Sequence, residues 1–266
     1  MDPVSLFKYR SFNSDSHLEC LKKNTVYFSS PNKLKDPNDG LGMFVYDHYS
    51  DDELIGLSKE KIKLGNPGLK HEEIEKIHRE LFDLNSAREA VRPENQYEFL
   101  KEHFNGHLGI ISFSGTNSNV KMWTTNAGNS KGFCIEYDYY LFRKWISYFV
   151  PGRNIQIKGF YRVKYTDNLP QFHYKNFSAS DEIKAFTTKK TEWSYQEEFR
   201  LFTLEKTNFS YNLNPKIIKS VYLGYNVSLA NEKAVLDIVN MVLPHVKVFK
   251  AKFNSINFSL EFVEIT

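Results

Sequence analysis

Two parts of this sequence carry side chains whose types and spacing suit chemistry: the N-terminal pair Lys8-Tyr9-Arg10 and Tyr27-Phe28-Ser29, and the late segment Trp193–Arg200. Read as a strand, Trp193-Ser194-Tyr195-Gln196-Glu197-Glu198-Phe199-Arg200-Leu201-Phe202 puts Glu198, Arg200 and Phe202 on one face, with Glu197, Phe199 and Leu201 on the other. At a solvated sheet edge, Glu198 and Arg200 would form a same-face ion pair worth little. A third group is Asp36-Pro37-Asn38-Asp39-Gly40, which has the carboxylates of a calcium loop. Its glycine comes one place early and the closing Glu is missing, so a turn with self-bonded side chains is expected. Asp36, Asp39 and Glu198 around magnesium would be the site of a metal-dependent nuclease, an oxygen-rich set that a hard cation accepts.

Common sites are excluded by absence. There is no G-x-x-x-x-G-K-[ST], no G-x-G-x-x-G after a strand, no H-E-x-x-H and no G-x-S-x-G. The 8 histidines are scattered along the chain. Trp123 reads as core or cleft wall, whereas Trp193 is close enough to Glu198 in sequence to line a site there.

Leu6–Arg10 alternates like a strand, and Ser16 with Glu19 has the spacing of a capping box for a short helix carrying Leu18 and Leu21. Asn24 ends that helix. In Thr25–Ser29, Val26 and Phe28 face one side, and Thr25, Tyr27 and Ser29 the other. Ile74, Ile77, Leu81 and Leu84 predict one helix, and Pro93 opens another with Tyr97, Leu100 and Phe104, so residues 51–105 read as a helical insertion. Further strands are expected at Leu108–Ser114, Gly132–Tyr137, along Ile155 to Tyr165, and at Phe199–Leu204, Ile217–Leu223, Val246–Ala251 and Phe258–Ile265. Short helices are expected at Asn119–Asn126 and Ser180–Phe186. Ser228 caps a helix carrying Val235, Ile238, Val239 and Val242. Hairpin-like strand spacing and grouped helices predict an α+β fold with mixed, mainly antiparallel sheets.

No linker divides the 266 residues, so a single domain is expected, and 41% apolar with 15% aromatic residues gives it enough core to exclude disorder. Net charge is +3, but residues 51–104 hold 13 acidic and 9 basic side chains, leaving the remainder basic enough for a cleft that takes phosphates. Cys20 and Cys134 fit neither a disulfide framework nor a metal spacing, which suggests a reducing compartment. The N-terminus lacks a signal-peptide pattern, and no apolar run approaches the roughly 18 residues of a membrane span. A cytoplasmic protein with no membrane association is the expectation.

Several motifs in order carry a resemblance: Phe7-Lys8-Tyr9-Arg10-Ser11, Leu21-Lys22-Lys23, Val26-Tyr27-Phe28-Ser29-Ser30-Pro31, Asp36-Pro37-Asn38-Asp39, Ile111-Ser112-Phe113-Ser114, Met122-Trp123, Lys131-Gly132-Phe133-Cys134-Ile135-Glu136-Tyr137 and Trp193-x-Tyr195-x-x-Glu198-Phe199-Arg200. From about Leu6 to Phe202 the chain resembles a bacterial family known as domain of unknown function 2971. It departs from that pattern at Gln196, where an acidic residue is usual.

A strand ending in Arg, a short helix, a strand with Tyr or Ser, and a late strand bearing Glu is also similar to the ADP-ribosyltransferase superfamily. That resemblance implies a split β core and NAD as substrate. It implies Glu198, Arg10 and Ser29 as catalytic residues, and Arg10, Tyr27, Ser29, Gln196 and Trp193 as those that bind the dinucleotide, with no metal. A carboxylate there would stabilise an oxocarbenium-like state as the nicotinamide–ribose bond breaks. Arg10 would fork the phosphates, and Tyr27 would stack on nicotinamide. The partners implied are a protein or nucleic-acid acceptor and, for a toxin or phage-defence effector, an antitoxin or chaperone. A non-enzymatic binding module that docks through the acidic insertion is the remaining alternative.

Overall fold

Residues 2–34, 36, 39–40, 42–147, 156–204 and 206–266 are described by the computed structural model. Pro37 and Asn38 of the expected loop, and Ile155 of an expected strand, lie outside them. The alternation read at the N-terminus becomes strand β1, Ser5–Arg10, which buries Leu6. Helix α1, Asp15–Lys22, opens at Ser14 and not at Ser16, so the expected Ser16/Glu19 box does not form. Asn24 ends the helix by adopting a left-handed φ of 53°. Strand β2 is Thr25–Phe28, with Val26 and Phe28 buried as the alternation required.

After the short strand β3, Phe44–Val45, four helices follow: α2 Asp51–Gly65, α3 His71–Leu81, α4 Leu84–Ala90 and α5 Pro93–His107. Ser50 and Glu53 form a full capping box on α2, whose first turn is acidic and so complements the helix dipole. The stripe read across this region is shorter than expected. Ile74 and His78 are buried but Leu81 is 77% exposed, because Asp83 caps a new helix and breaks the period.

The remaining elements are β4 Gly109–Ser114, α6 Val120–Asn126, β5 Phe133–Asp138, α7 Tyr139–Ser147, β6 Gln156–Arg162, β7 Lys164–Tyr165, β8 Phe172–His173, α8 Ala179–Ala185 and β9 Thr188–Lys189. They are followed by β10 Glu198–Leu204, β11 Phe209–Asn212, β12 Ile218–Leu223, α9 Leu229–Val242, β13 Lys247–Asn254 and β14 Ser259–Glu264. Eight strands make the main sheet in the order β14-β13-β12-β5-β1-β4-β10-β6. Its pairings are antiparallel except β12 with β13, which α9 connects as a crossover. The fold is therefore α+β with a mixed, mainly antiparallel sheet.

One sheet face is covered by α1, α7 and α9, which bury Leu21, Phe142 and Val235 against Ile111, Phe113, Ile135 and Leu201. On the other face Phe104 of α5 packs with Ile110 and Phe202, and Trp123 of α6 packs with Tyr9 and Cys134. Each such fully buried aliphatic or aromatic side chain contributes about 1.5–3 kcal/mol. Beside β1, Gly132 lets two backbones meet, since a Cβ there would collide with the Arg10 carbonyl oxygen. Among the described residues no helix is long and apolar enough to cross a membrane.

Candidate functional site

The sheet is incomplete between β1 and β4. Strand β1 pairs with β5 along its whole length but meets β4 only at Phe7 and Ser114. At its other end β4 is bridged by Ser29, just past β2, through reciprocal backbone bonds with Ile110 of 3.0 and 2.8 Å. Between those two closures the seam stays open, and the Lys8 ammonium reaches across it to donate to the Ser112 carbonyl.

A cavity of about 440 Å³ occupies the seam, and Arg10, Ser29, Gln196 and Glu198 all line it. The register places Glu198, Ser114 and Phe7 side by side on one face of the sheet. Lys8 and Arg10 leave β1 from the opposite face, with Leu6. The two sets meet only because the sheet is open here. Five cations, Lys8, Arg10, Lys33, Lys189 and Arg200, line the cavity against two carboxylates, Asp39 and Glu198. That balance suits a phosphate-bearing ligand.

A second cavity of about 500 Å³ adjoins the first and shares Lys8, Arg10, His17 and Ser29 with it. Tyr27 lines this second chamber and not the one holding Glu198. Trp193 lines a third, of about 410 Å³, with Asp36 and Asp39; its ring lies 4.9 Å from the Lys189 ammonium. Trp123 is fully buried core.

The late segment differs from the strand read in the sequence. Thr191–Gln196 is a 3-10 helix, and Glu197 takes a left-handed φ of 43°, so the strand begins at Glu198. The Glu198 amide donates to the Tyr165 hydroxyl at 2.9 Å, which fixes that start. From there the expected alternation holds: Glu198, Arg200 and Phe202 share a face, with Phe199 and Leu201 on the other. Gln196 is buried, and its side-chain oxygen accepts from Lys189 at 2.8 Å.

Glu198 and Arg200 are not the exposed, weakly paired couple of an edge strand, because β10 lies inside the sheet and both are buried. Arg200 Nε donates to Glu198 Oε1 at 2.7 Å, and Lys189 donates to Oε2 at 3.2 Å. Arg200 also grips Asp39. Burial alone would raise the Glu198 carboxyl, but the charges of Arg200 and Lys189 overcome it and hold the group down at about 2. Glu198 is thus an anion at neutral pH, and Oε1 keeps acceptor capacity beyond its bond to Arg200. Arg10 is not Glu198's ion-pair partner, and its buried Nε has no hydrogen-bond partner among the described residues.

Lys189 is the partner of Glu198 that sequence reasoning missed, and Asp39, grouped with Glu198 there only as a magnesium ligand, is held by Arg200 and Lys189 instead. The available signal was Arg200 itself, since a buried guanidinium beside one carboxylate calls for a second. Among the described residues no group of three or more His, Cys, Asp or Glu side chains could hold a metal. Asp39 and Glu198 turn toward Arg200 and Lys189, which occupy the place a cation would take. No protein-family model matches the chain, and neither the curated proteins nor the solved structures include a match.

Proposed function

We propose that the chain is an ADP-ribosyltransferase-like enzyme that takes NAD as substrate and transfers ADP-ribose to a protein or nucleic acid. The observation that carries this reading is the convergence of Arg10, Ser29 and Glu198, from three distant segments, on one cavity at the open seam. The split β core of that superfamily, and the resemblance to domain of unknown function 2971, belong to the same proposal.

Two adjoining chambers that share Arg10 and Ser29 suit a dinucleotide, whose phosphates would lie at the shared wall. Arg10 would donate its unused N–H groups to the phosphates. Because Tyr27 lines the second chamber and Glu198 the first, Tyr27 would stack on the adenine and not on nicotinamide, and Ser29 would orient the nicotinamide ribose. Glu198, held ionised, would accept from a ribose hydroxyl through Oε1 and stabilise positive charge as the glycosidic bond to nicotinamide opens. Gln196 has no direct part, because Lys189 engages it.

The test is nicotinamide release from NAD by wild type, Glu198→Gln and Arg10→Ala, with circular dichroism confirming that each folds. Release by wild type that falls at least about a hundredfold in Glu198→Gln supports the proposal. Background-level release by all three, across protein and nucleic-acid acceptors, rejects it. Nuclease activity lost with a chelator would favour the metal reading instead. A biological effect that survives Glu198→Gln would favour a binding module docking through α2–α5.

A further inference from the structure

Lys8 has a setting that the reaction above does not use. It is among the residues that line both the seam cavity and the chamber beside it. Among the described residues the amine donates only to the main-chain carbonyl of Ser112, and Nζ lies over the Phe113 ring, 5.7 Å from its centroid. Among the described residues no carboxylate lies within ion-pairing distance of it. Glu198 makes its ion-pair contacts with Arg200 and Lys189 and not with Lys8. Arg10 follows two positions later on the same strand face, so the nearest charge along β1 is another cation. A half-buried amine without a counter-ion, next to a guanidinium, is the setting in which lysine acts as a nucleophile.

We infer that Lys8 is a Schiff-base-forming lysine that takes an aldehyde bearing a phosphate group, with Arg10 holding the phosphate. This inference does not depend on NAD being a substrate. The neutral amine adds its lone pair to the aldehyde carbon as the carbonyl π bond opens onto oxygen, and one proton passes from the nitrogen to that oxygen. The carbinolamine then expels one water, leaving a carbon–nitrogen double bond to Lys8. No oxidant or reductant is consumed.

Electrostatics agree with the geometry. Burial, then repulsion from Arg10, brings the Lys8 ammonium down to about 7. Glu198 on β10 and Cys20 on α1 pull the other way, and Arg200 on β10 adds repulsion. His17 on α1 is the remaining titratable group that interacts with it.

The probe is pyridoxal 5'-phosphate, trapped by borohydride and mapped by peptide mass spectrometry on the folded full chain. The expected result is labelling at Lys8 at least about tenfold faster than at surface lysines at pH 7. The Lys8 rate should reach half its maximum near pH 7, and inorganic pyrophosphate should slow it. Pyridoxal without the phosphate should label Lys8 several-fold more slowly, and Arg10→Ala should erase that difference. Even labelling across surface lysines, an untouched Lys8, or equal rates with and without the phosphate overturns the inference. Lys8→Met serves as the blank, and the wild-type map decides the question if that variant fails to fold. Failure of the NAD assay leaves this result standing, because no step here involves NAD.

Discussion

Arg200 and Asp39, 161 positions apart in the sequence, form a buried two-pronged ion pair: Nη1 to Oδ1 at 2.9 Å and Nη2 to Oδ2 at 2.5 Å. Nη1 also donates to the Phe186 carbonyl at 2.7 Å, so one side chain ties the Asp39 loop, the end of α8 and strand β10 together. Asp39→Asn leaves the guanidinium buried with one carboxylate in place of two. The expected loss is about 3–5 kcal/mol of unfolding free energy, read from urea denaturation at pH 7. A loss below about 1 kcal/mol would mean that water replaces the carboxylate freely.

Glu198 sets an acid limit on stability. Its folded carboxyl titrates at about 2, below the ordinary glutamate value, so its contribution is complete above the unfolded value and is lost as pH falls toward 2. Urea midpoints measured from pH 6 to pH 2 should therefore fall more steeply for wild type than for Glu198→Gln. Parallel curves would show that the carboxylate is not held down by its neighbours.

Arg10→Ala should raise the KM for NAD about 10- to 100-fold, the loss expected for hydrogen bonds to a charged group. Arg10→Lys should recover only part of it, because an ammonium lacks the planar fork. Steady-state nicotinamide release gives both numbers. An unchanged KM in Arg10→Ala would remove the phosphate role.

Gly132→Ala tests the backbone approach behind the site. A methyl group there meets the Arg10 and Ala127 carbonyl oxygens, and neither belongs to a flexible side chain. A loss of roughly 1–3 kcal/mol is expected, with weakened NAD turnover because the end of β1 must move. Thermal unfolding and the nicotinamide assay, run on the same preparation, check the two effects together.

Period-two alternation made β1, β2 and the faces of β10 legible in the sequence, because a strand's inward side chains are a local pattern. Position 197 was not legible: its left-handed backbone breaks the alternation with no Gly to announce it, so Trp193–Gln196 read as strand. Helix α7 was missed as well; it starts directly after β5, with no separating turn, in a run of aromatic residues. Strand β11 was hidden because its partner β2 is almost two hundred residues away. Asp39 read as loop-forming because a buried ion pair is visible only when both partners are in place. The candidate triad of Arg10, Ser29 and Glu198 rests on the resemblance to ADP-ribosyltransferases, and the three side chains line one cavity. What the sequence could not show was the reason they converge, a gap between two neighbouring strands.

That gap couples occupancy to firmness. A sheet closed along β1 and β4 would owe nothing to its surroundings at this point, whereas here the links include one residue pair, one bridge, the Lys8 amine on the Ser112 carbonyl and the Tyr9 hydroxyl on the Thr116 carbonyl, with no continuous ladder. Whatever settles between them supplies the missing cross-links. A ligand that bound only the folded chain at this seam would harden it in proportion to how far its concentration exceeded the dissociation constant, and melting temperature would then read out binding.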